Sequence, residues 1–495
     1  MKKSNKTKNK KLNKIVGMVH GVFDVIHIGH IMYFKDAKSK VDKLIVSVTS
    51  DKYVNKGPGK PIFNTSTRIK LLSSIKYIDK VIESNHPTAI PNIKKIKPNL
   101  YIKGIDYKNL KDDLSKNILA EKKEVEKYGG KLTFTDTPLY SSSSIINQNF
   151  DFLTIDAKKF FAKEKNYLLG LKFKDFIREK IDEKILIIGD PIIDVLRFVK
   201  PSGKSNKNNI IATRFLKQEE NLGGTLLVLN FLSQFFKSID YYFIGNKNDF
   251  NYIKRNLNKN ITIKIIPSEN NIIKKIRYID EYSLNKFFQV NKNETNNLTP
   301  KVIEKFLSIL KNNINKYKQI IIFDYGYNYS FKKLNFLLQK YSNKLVVNCQ
   351  SNSFNFGFNL ANKYKKSLIL SLDENEMRLM SQDMHSPLKN VIKKNTHIFK
   401  KTKIVIITQG RKGCFILNNN KLYFIPTILK HSLDTTGCGD IFLSTFSALN
   451  FSQKFNLKEK IIISHIAAGI HANELGNRFN LDLKHISNVL SSVLK

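Results

Sequence analysis

The sequence has few of the residues and segments that cross-link a chain or carry it through a membrane. Only three cysteines occur in 495 residues (Cys349, Cys414 and Cys438), and they lie far apart, without the spacing of a metal site. A disulfide framework is not indicated, and a reducing cytoplasm fits. No apolar run approaches the roughly 18 residues that a membrane span needs, and no apolar segment follows the basic N-terminus at 1–14. We therefore expect neither a membrane span nor a secretory signal.

Acidic residues are also scarce. Asp and Glu number 41 against 84 Lys and Arg, which gives a formal net charge of +43 and invites a nucleic-acid interpretation. However, the excess is nearly all lysine, spread from end to end beside abundant asparagine and isoleucine, and these three residues share A/T-rich codons. Arginine, which reads phosphates and bases in bidentate fashion, is scarce. We therefore expect no nucleic-acid partner, and a basic nucleotide- or RNA-binding module is kept as the non-enzymatic alternative.

The order of apolar runs divides the chain into an α/β block, a connector and a second α/β block. The length predicts about three domains. Residues 15–150 alternate short β-like runs with helix-like segments, as in a parallel α/β sheet. Residues 151–183 carry apolar residues at roughly helical spacing and are predicted to form a helical connector. Residues 184–495 contain continuous apolar runs that each end in a polar residue or glycine, which is typical of buried parallel strands whose C-terminal ends carry a site.

The segment "VHGVFDVIHIGHIMYF" has the strand, turn and helix order of a nucleotide-binding unit. His27 and His30 are spaced i and i+3 and can share one helix face, beside the positive end of the helix dipole. Gly29 between them leaves room for close approach of a phosphate. The alternative is a pair of ordinary histidines near a helix start.

Four segments together resemble the cytidylyltransferase-like superfamily: "GVFDVIHIGH", "KGPGKPIFNTSTRIKLL", "YIKGIDY" and "YSSSSIIN". The resemblance implies a Rossmann-like nucleotidyltransferase domain in which His27 and His30 stabilise charge on the α-phosphate of a nucleoside triphosphate. It also implies a set of nucleotide- and phosphate-binding residues: Gly21, Phe23, Asp24, Lys60, Arg68, Lys103, Gly104, Asp106, Ser142, Ser143 and Ser144.

Within that superfamily the block looks most similar to the nucleotidyltransferase half of bifunctional heptose enzymes and to glycerol-3-phosphate cytidylyltransferase. The implied reaction is attack of a sugar phosphate oxygen on the α-phosphorus, with loss of pyrophosphate and with Mg²⁺ on the triphosphate. The choice between ATP and CTP stays open. Glycerol-specific relatives begin the last motif with arginine, threonine and glycine, and "LYSSSSIIN" lacks that start.

The segment "LDTTGCGDIF" places Asp440 directly behind a small-residue turn. A helix-compatible run follows, so the amides of the turn are expected at a helix N-terminus, where anions bind. Asp440 is then expected where a transferring phosphate meets its acceptor, which indicates phosphoryl transfer. The alternative is an acidic residue that only stabilises the helix start.

"DTTGCGD" resembles the C-terminal motif of ribokinase-type (PfkB) sugar kinases, and other motifs follow in order from 184 onward. The resemblance implies a ribokinase-like α/β domain with a small β lid, in which Asp440 is the general base and ATP is the phosphate donor. Four further groups of residues are implied: an anion hole (Gly437, Cys438, Gly439), sugar contacts (Asp190, Asp194, Gly223, Gly224), an Mg²⁺ site acting through water (Asp373, Glu376) and nucleotide contacts (Thr408, Gly410, Gly413).

Three features leave the kinase substrate and the oligomeric state open. Leu227 stands where many relatives have a sugar-binding asparagine. The amide-rich stretch 346–359 either restores sugar contacts or forms a surface loop. The lid, through which relatives often form homodimers, is expected either at Tyr241–Ile244 or around 272–290. Both halves together resemble the bifunctional heptose-activating enzymes of surface polysaccharide synthesis, with the domain order swapped. A polyol or other non-heptose phosphate as acceptor, with a kinase of different specificity, is the alternative.

Overall fold

The computed structural model of the chain consists of two compact units, residues 1–151 and residues 152–494. The described residues are 14–54, 61–104, 117–135, 153–163, 169–205, 208–293, 298–430, 432–478 and 481–493. Within these ranges, no helix combines the length and the apolar character that crossing a bilayer requires.

The first unit is built on a parallel sheet. Its strands are β1 (Val16–Gly21), β2 (Lys43–Thr49), β3 (Lys80–Ser84), β4 (Leu100–Lys103) and β5 (Lys131–Phe134). Its described helices are α1 (Ile28–Ser39), α2 (Thr65–Ser73), α3 (Ile90–Ile96) and α4 (Asn117–Lys127). The five strands pair in the order β3-β2-β1-β4-β5, all parallel. The strand order reverses between β1 and β4, and ligands of such sheets bind outside the carboxyl ends of the strands at that point.

The second unit begins with two helices and contains a large mixed sheet. The large-sheet strands are β6 (Ile185–Gly189), β9 (Ile239–Gly245), β10 (Ile261–Pro267), β13 (Gln319–Asp324), β14 (Leu345–Cys349), β15 (Ser367–Asp373), β16 (Thr402–Thr408), β17 (Gly413–Asn418) and β18 (Lys421–Pro426). They pair in the order β10-β9-β6-β13-β14-β15-β16-β17-β18, and only the last two pairings are antiparallel. The α/β class predicted for both blocks is confirmed.

Helices cover this sheet and separate its strands along the chain. They are α5 (Ile155–Lys163), α6 (Leu169–Phe176), α7 (Thr225–Leu232), α8 (Lys247–Asn256), α9 (Pro300–Asn313), α10 (Lys332–Gln339), α11 (Glu374–Ser381), α12 (Leu388–Lys394), α13 (Cys438–Leu449), α14 (Leu457–His471) and α15 (Leu483–Val493). Ile185 and Ile187 of β6 enter one apolar cluster, and Leu186 and Ile188 enter another. Because side chains alternate along a strand, the sheet is buried on both faces, and this explains the continuous apolar runs of the sequence.

A separate four-stranded sheet forms the lid of this unit. It consists of β7 (Pro191–Lys204), β8 (Ile211–Gly224), β11 (Ile273–Asp280) and β12 (Lys286–Lys292), paired in the order β12-β11-β7-β8. Of the two places considered for a lid, residues 272–290 supply β11 and most of β12. Tyr241–Ile244 as a lid strand is wrong, because these residues are fully buried in β9 of the large sheet.

Candidate active sites

Asp440 lies in the first turn of α13, behind a turn that only glycine fits. Gly437 caps the helix with φ of 77°, in the left-handed region, and a Cβ there would lie 2.9 Å from both Leu227 Cδ2 and Asn477 Oδ1. Leu227, which replaces the expected sugar-binding asparagine, therefore packs against this turn. The amides that begin α13 are located at the positive end of the helix dipole, where an anion is stabilised.

The Asp440 carboxylate is 5% exposed and accepts three side-chain hydrogen bonds. Asn348 Nδ2 and Gln350 Nε2 donate to Oδ1, each at 2.7 Å, and Tyr325 Oη donates to Oδ2 at 3.1 Å. Burial raises the pKa of Asp440 to about 7, against the lowering effect of Tyr325, Gln350 and the more distant Lys275. A carboxylate with a pKa near the working pH is suited to general-base catalysis.

A cavity of about 400 Å³ opens beside Asp440, within the size range of small-molecule sites. Nine of the residues predicted from the kinase motifs line it: Asp373, Glu376, Thr408, Gly410, Gly413, Gly437, Cys438, Gly439 and Asp440. They come from the end of β15 and the start of α11, from the end of β16 and the turn to β17, and from the start of α13. The fold therefore brings together motifs that are up to about 70 residues apart in the chain.

Asp373 and Glu376 form a capping box at the start of α11. Asp373 Oδ1 accepts from the Glu376 amide, and the Asp373 amide donates to Glu376 Oε2, both at 2.7 Å. Burial, followed by the charge of Asp373, raises the pKa of Glu376 to about 8. A cation held through water would relieve this repulsion, and carboxylate oxygens are ligands that Mg²⁺ prefers. The described residues contain no group of three or more His, Cys, Asp or Glu that could hold a metal directly. The water-mediated Mg²⁺ site at this pair stays a prediction.

Asp194, on the lid strand β7, is bound by a second lid residue and by a residue between α14 and α15. Arg277 of β11 donates to Oδ1, and Asn477 donates to Oδ2 at 2.6 Å. A Cβ on Gly223 would lie 2.1 Å from Asp194 Oδ2, so this pair needs glycine at 223. Gly224 also needs to be glycine, because its φ is 52°.

Asp190 directly follows β6, as predicted, and is fully buried. Its side chain has no exposed surface, Oδ1 accepts from the Asn328 amide at 2.9 Å, and burial raises its pKa to about 8. Asp190 Oδ2 is buried and has no hydrogen-bond partner among the described residues. Contact between Asp190 and a sugar therefore stays a prediction.

Asp434, the first aspartate of "DTTGCGD", anchors the turn before α13 to the lid. Its oxygens accept from Lys286 Nζ of β12 at 2.7 Å, from the amide and hydroxyl of Thr436, and from the Gly476 amide. Although burial raises it, the bonds from Lys286 and Thr436 lower the pKa of Asp434 to about 2. The carboxylate is therefore ionised at neutral pH and fixes the loop that precedes α13.

In the first unit, the two histidines of the HIGH segment are adjacent at the start of α1. His27 caps the helix, with Nδ1 accepting from the Gly29 amide at 3.1 Å, and its ring stacks on that of His30 at 4.0 Å between centroids. Partial burial lowers the pKa of His27. The i, i+3 prediction of a shared face agrees with this stacking.

Gly21 ends β1, Phe23 has a positive φ of 47°, and the Asp24 carboxylate accepts from the amides of Ile62 and Phe63. Asp24 therefore fixes the backbone of residues 62–63, which precede α2. Its carboxylate is buried rather than open to a ligand.

The structure corrects the prediction that Arg68 binds phosphate. Its side chain has no exposed surface, and five hydrogen bonds use all of its donors. The acceptors are the carbonyls of Val22, Thr49 and Phe63 and the side chains of Asp51 and Thr65. The guanidinium ties the ends of β1 and β2 to α2, and it has no donor left for a phosphate.

Lys103 ends β4, near the point where the strand order reverses. Its Nζ lies 3.3 Å from Glu121 Oε2, which also accepts from Tyr101 Oη at 2.8 Å. Gly104 follows directly. The predicted residues Lys60, Asp106, Ser142, Ser143 and Ser144 lie outside the described residues, so their proximity to His27 stays a prediction.

Sequence reasoning missed several residues of these sites. Tyr325, Arg277 and Asn477 have no motif of their own, and Asn348 and Gln350 were visible only as part of the amide-rich stretch 346–359. His20, on β1, was also missed: its Nδ1 lies 2.9 Å from Ser47 Oγ, and burial lowers its pKa to about 4.

Two known families match separate parts of the chain. The family described as "Cytidylyltransferase-like" matches residues 18–148, and the "pfkB family carbohydrate kinase" family matches residues 244–482. Phosphofructokinase-2 from Escherichia coli, solved in complex with substrates and products, aligns with a TM-score of 0.51 and 13% identity, over 64% of this chain and 100% of that chain. At this identity the structural match shows the fold.

Two curated relatives each match about a quarter of the chain. The bifunctional protein HldE of Aliarcobacter butzleri is 36% identical over 124 residues, which make up 25% of this chain and 26% of that protein. The FAD synthase of Thermoplasma acidophilum is 29% identical over 138 residues, which make up 27% of this chain and 97% of that protein. The chain thus spans about a quarter of the length of the HldE protein that it matches. From these matches and the geometry above, the chain carries a cytidylyltransferase-like nucleotidyltransferase domain followed by a pfkB-type carbohydrate kinase domain.

Proposed function

We propose that the protein is a bifunctional enzyme that phosphorylates a sugar or sugar phosphate with ATP and transfers a nucleotidyl group from ATP or CTP to a sugar 1-phosphate. The single observation that carries the kinase half is Asp440, a buried carboxylate at a helix start, on the wall of a cavity shared with Asp373 and Glu376. Phosphate and base belong side by side because the acceptor hydroxyl has to lie between them.

In the kinase reaction, Asp440 takes the proton of the acceptor hydroxyl while the hydroxyl oxygen forms a bond to the γ-phosphorus. The bond to the bridging oxygen breaks, and ADP leaves with that electron pair. The amides of Gly437, Cys438 and Gly439 stabilise the charge on the transferring group. Asp373 and Glu376 would hold Mg²⁺ through water, and the ion would neutralise charge on the phosphates. Thr408, Gly410 and Gly413 form the nucleotide side of the cavity.

In the nucleotidyltransferase reaction, a phosphate oxygen of the sugar 1-phosphate attacks the α-phosphorus, and pyrophosphate leaves. His27 and His30 face this phosphate from the start of α1. No protein nucleophile is required, because orientation and charge neutralisation lower the barrier. Both reactions consume nucleoside triphosphates, so we place the enzyme in the cytoplasm, where it would supply a nucleotide-activated, heptose-like sugar for surface polysaccharide synthesis.

A second candidate for the first domain is transfer to a phosphate monoester that is not a sugar 1-phosphate, such as a polyol phosphate. The observation that favours it is the match to a FAD synthase. That name describes a product other than a nucleotide sugar, and the matched segment covers 97% of that protein.

We also propose a homodimer through the lid. Several apolar side chains of β8 and β12 are exposed: Ile211, Phe215, Phe287, Phe288 and Val290. Sedimentation of Phe215→Asp beside the parent tests it: a parent dimer that becomes a monomer is expected, whereas a parent that is monomeric at all concentrations rules the dimer out.

The test of the two activities is a screen of the purified full chain against sugars, sugar phosphates, sugar 1-phosphates and polyol phosphates with ATP, CTP and MgCl₂, read by mass spectrometry. We expect ADP with one acceptor set and pyrophosphate with another. Pyrophosphate formed only with polyol phosphates would favour the second candidate. Absence of both products, together with RNA binding that persists at raised salt, would refute the proposal in favour of the nucleic-acid-binding alternative.

A further inference from the structure

The hydrogen bonds to Asp440 are distributed unequally between its two oxygens. A carboxylate oxygen offers about two acceptor positions. On Oδ1 both are filled, by Asn348 Nδ2 and Gln350 Nε2, each at 2.7 Å. Oδ2 receives one side-chain bond, from Tyr325 Oη at 3.1 Å, and one acceptor position is left for a further donor.

The three donors are placed by the central strands of the sheet. Asn348 lies in β14, and Gln350 follows two positions later, so both amides project to the same side. Tyr325 follows directly after β13, the strand that pairs with β14. The donors are therefore fixed by buried central strands of the sheet. Asp440 belongs to a helix about 90 residues further along the chain.

Tyr325 does not compete for the proton. Burial, followed by the charge of Asp440, raises its pKa well above the ordinary value of a phenol. The Tyr325 hydroxyl thus stays protonated at all working pH values and donates to Oδ2. Asn348 and Gln350 are amides and do not titrate.

We infer that Asn348 and Gln350 are positioning residues that hold Oδ1 of Asp440, which leaves Oδ2 as the atom that takes the proton of the acceptor hydroxyl. This inference rests on the proposed kinase reaction. The proton moves from the hydroxyl to Oδ2 as the hydroxyl oxygen bonds to the γ-phosphorus and ADP leaves.

The amides also stabilise the ionised form of the base. Charged and titratable groups that face Asp440 from the surrounding elements act on the same equilibrium: Asp194 of β7, Lys275 of β11, Tyr325 after β13, Glu376 of α11 and Cys438 of α13. Only the two amides can be removed without changing this set of charges. Loss of one hydrogen bond to a charged group is expected to raise the pKa of Asp440 by about one unit.

The test compares Gln350→Ala and Asn348→Ala with the parent full chain. The kinase kcat is measured from pH 5 to pH 9 with an acceptor found in the screen above. We expect the acid limb to move up by about one unit, with a loss of about fivefold at pH 7 and about tenfold at pH 6, and an unchanged KM for the acceptor. The matched control is Gln339→Ala, because Gln339 is also a half-buried amide with several bonds but does not contact Asp440.

A second measurement does not depend on turnover. In protein labelled with ¹³C at aspartate carboxyls, the signal absent from Asp440→Asn reports the titration of Asp440, and it should move up by about one unit in Gln350→Ala. An unmoved titration, or a lower kcat with an unmoved acid limb, would overturn the inference. A moved titration in a chain that phosphorylates no acceptor would instead overturn the proposed kinase function, and with it the proton transfer to Oδ2.

Discussion

Replacement of Asp440 with asparagine should abolish the kinase activity and at the same time stabilise the protein at neutral pH. The base is lost, because an amide does not take a proton from a hydroxyl. The folded protein, however, no longer has to hold an ionised carboxylate in a buried position. The two effects separate the catalytic role of Asp440 from a structural one.

The size of the stabilisation follows from the pKa. Burial raises the pKa of Asp440 from 3.8 to about 7, a rise of about three units, which sets an upper limit of about 4 kcal/mol. Because the folded-state pKa is above the unfolded one, the free-energy cost of ionisation is absent below about pH 4 and complete above about pH 7. Asparagine keeps one oxygen for Asn348 and Gln350 and turns its NH₂ toward Tyr325 Oη, so we expect a gain of about 1–3 kcal/mol at pH 8.

The assay is urea unfolding of the full chain at pH 4.5 and pH 8, with kinase turnover measured on the same preparations. Asp175→Asn, at an exposed carboxylate of α6, is the control and should change neither quantity. The reasoning from burial would be refuted if the free energy of unfolding of the variant were below that of the parent at pH 8. It would also be refuted if the two free energies differed by the same amount at pH 4.5 and pH 8. Turnover above about one hundredth of the parent value would refute the general-base role.

Three further predictions concern other parts of the two sites. His27→Ala should abolish pyrophosphate release and leave ADP formation unchanged; loss of both activities in a folded protein would contradict the two separate sites. Arg68→Met should destabilise the first unit by about 3–5 kcal/mol in urea unfolding, because it strands buried acceptors, and Arg68→Lys should not restore it; a neutral result would show that the five bonds contribute little. Lys286→Met should lower the kinase kcat about tenfold, because Asp434 loses the lid cation that fixes the turn before α13, whereas an unchanged kcat would show that the turn holds without the lid.

Most of the local structure at the sites was predictable, because it depends on residues that are close in the chain. The glycines before Asp440 allow the left-handed turn at Gly437, and the apolar run after it continues as α13. Asp373 and Glu376 are three positions apart and form a capping box. The continuous apolar runs are buried strands because both faces of the large sheet are covered.

The partners of these residues could not be predicted in the same way. Asn477 reaches Asp194 across 283 positions of sequence, and Gln350 reaches Asp440 across 90. Such contacts depend on the order of strands in the sheet, which no local pattern encodes. The amide-rich stretch 346–359 illustrates this, since its composition fits a surface loop, but two of its amides bind the predicted base.

The sequence by itself indicated the two proposed kinds of chemistry, because the turn glycines, the paired histidines and the aspartate behind its turn are patterns of residues that are close in the chain. Only the tertiary structure decided which polar groups are open to a substrate. Arg68 has the residue type and position of a ligand, yet it is fully buried and all of its donors are committed to internal hydrogen bonds. Burial is a property of the elements that pack over a residue, and these come from distant parts of the chain.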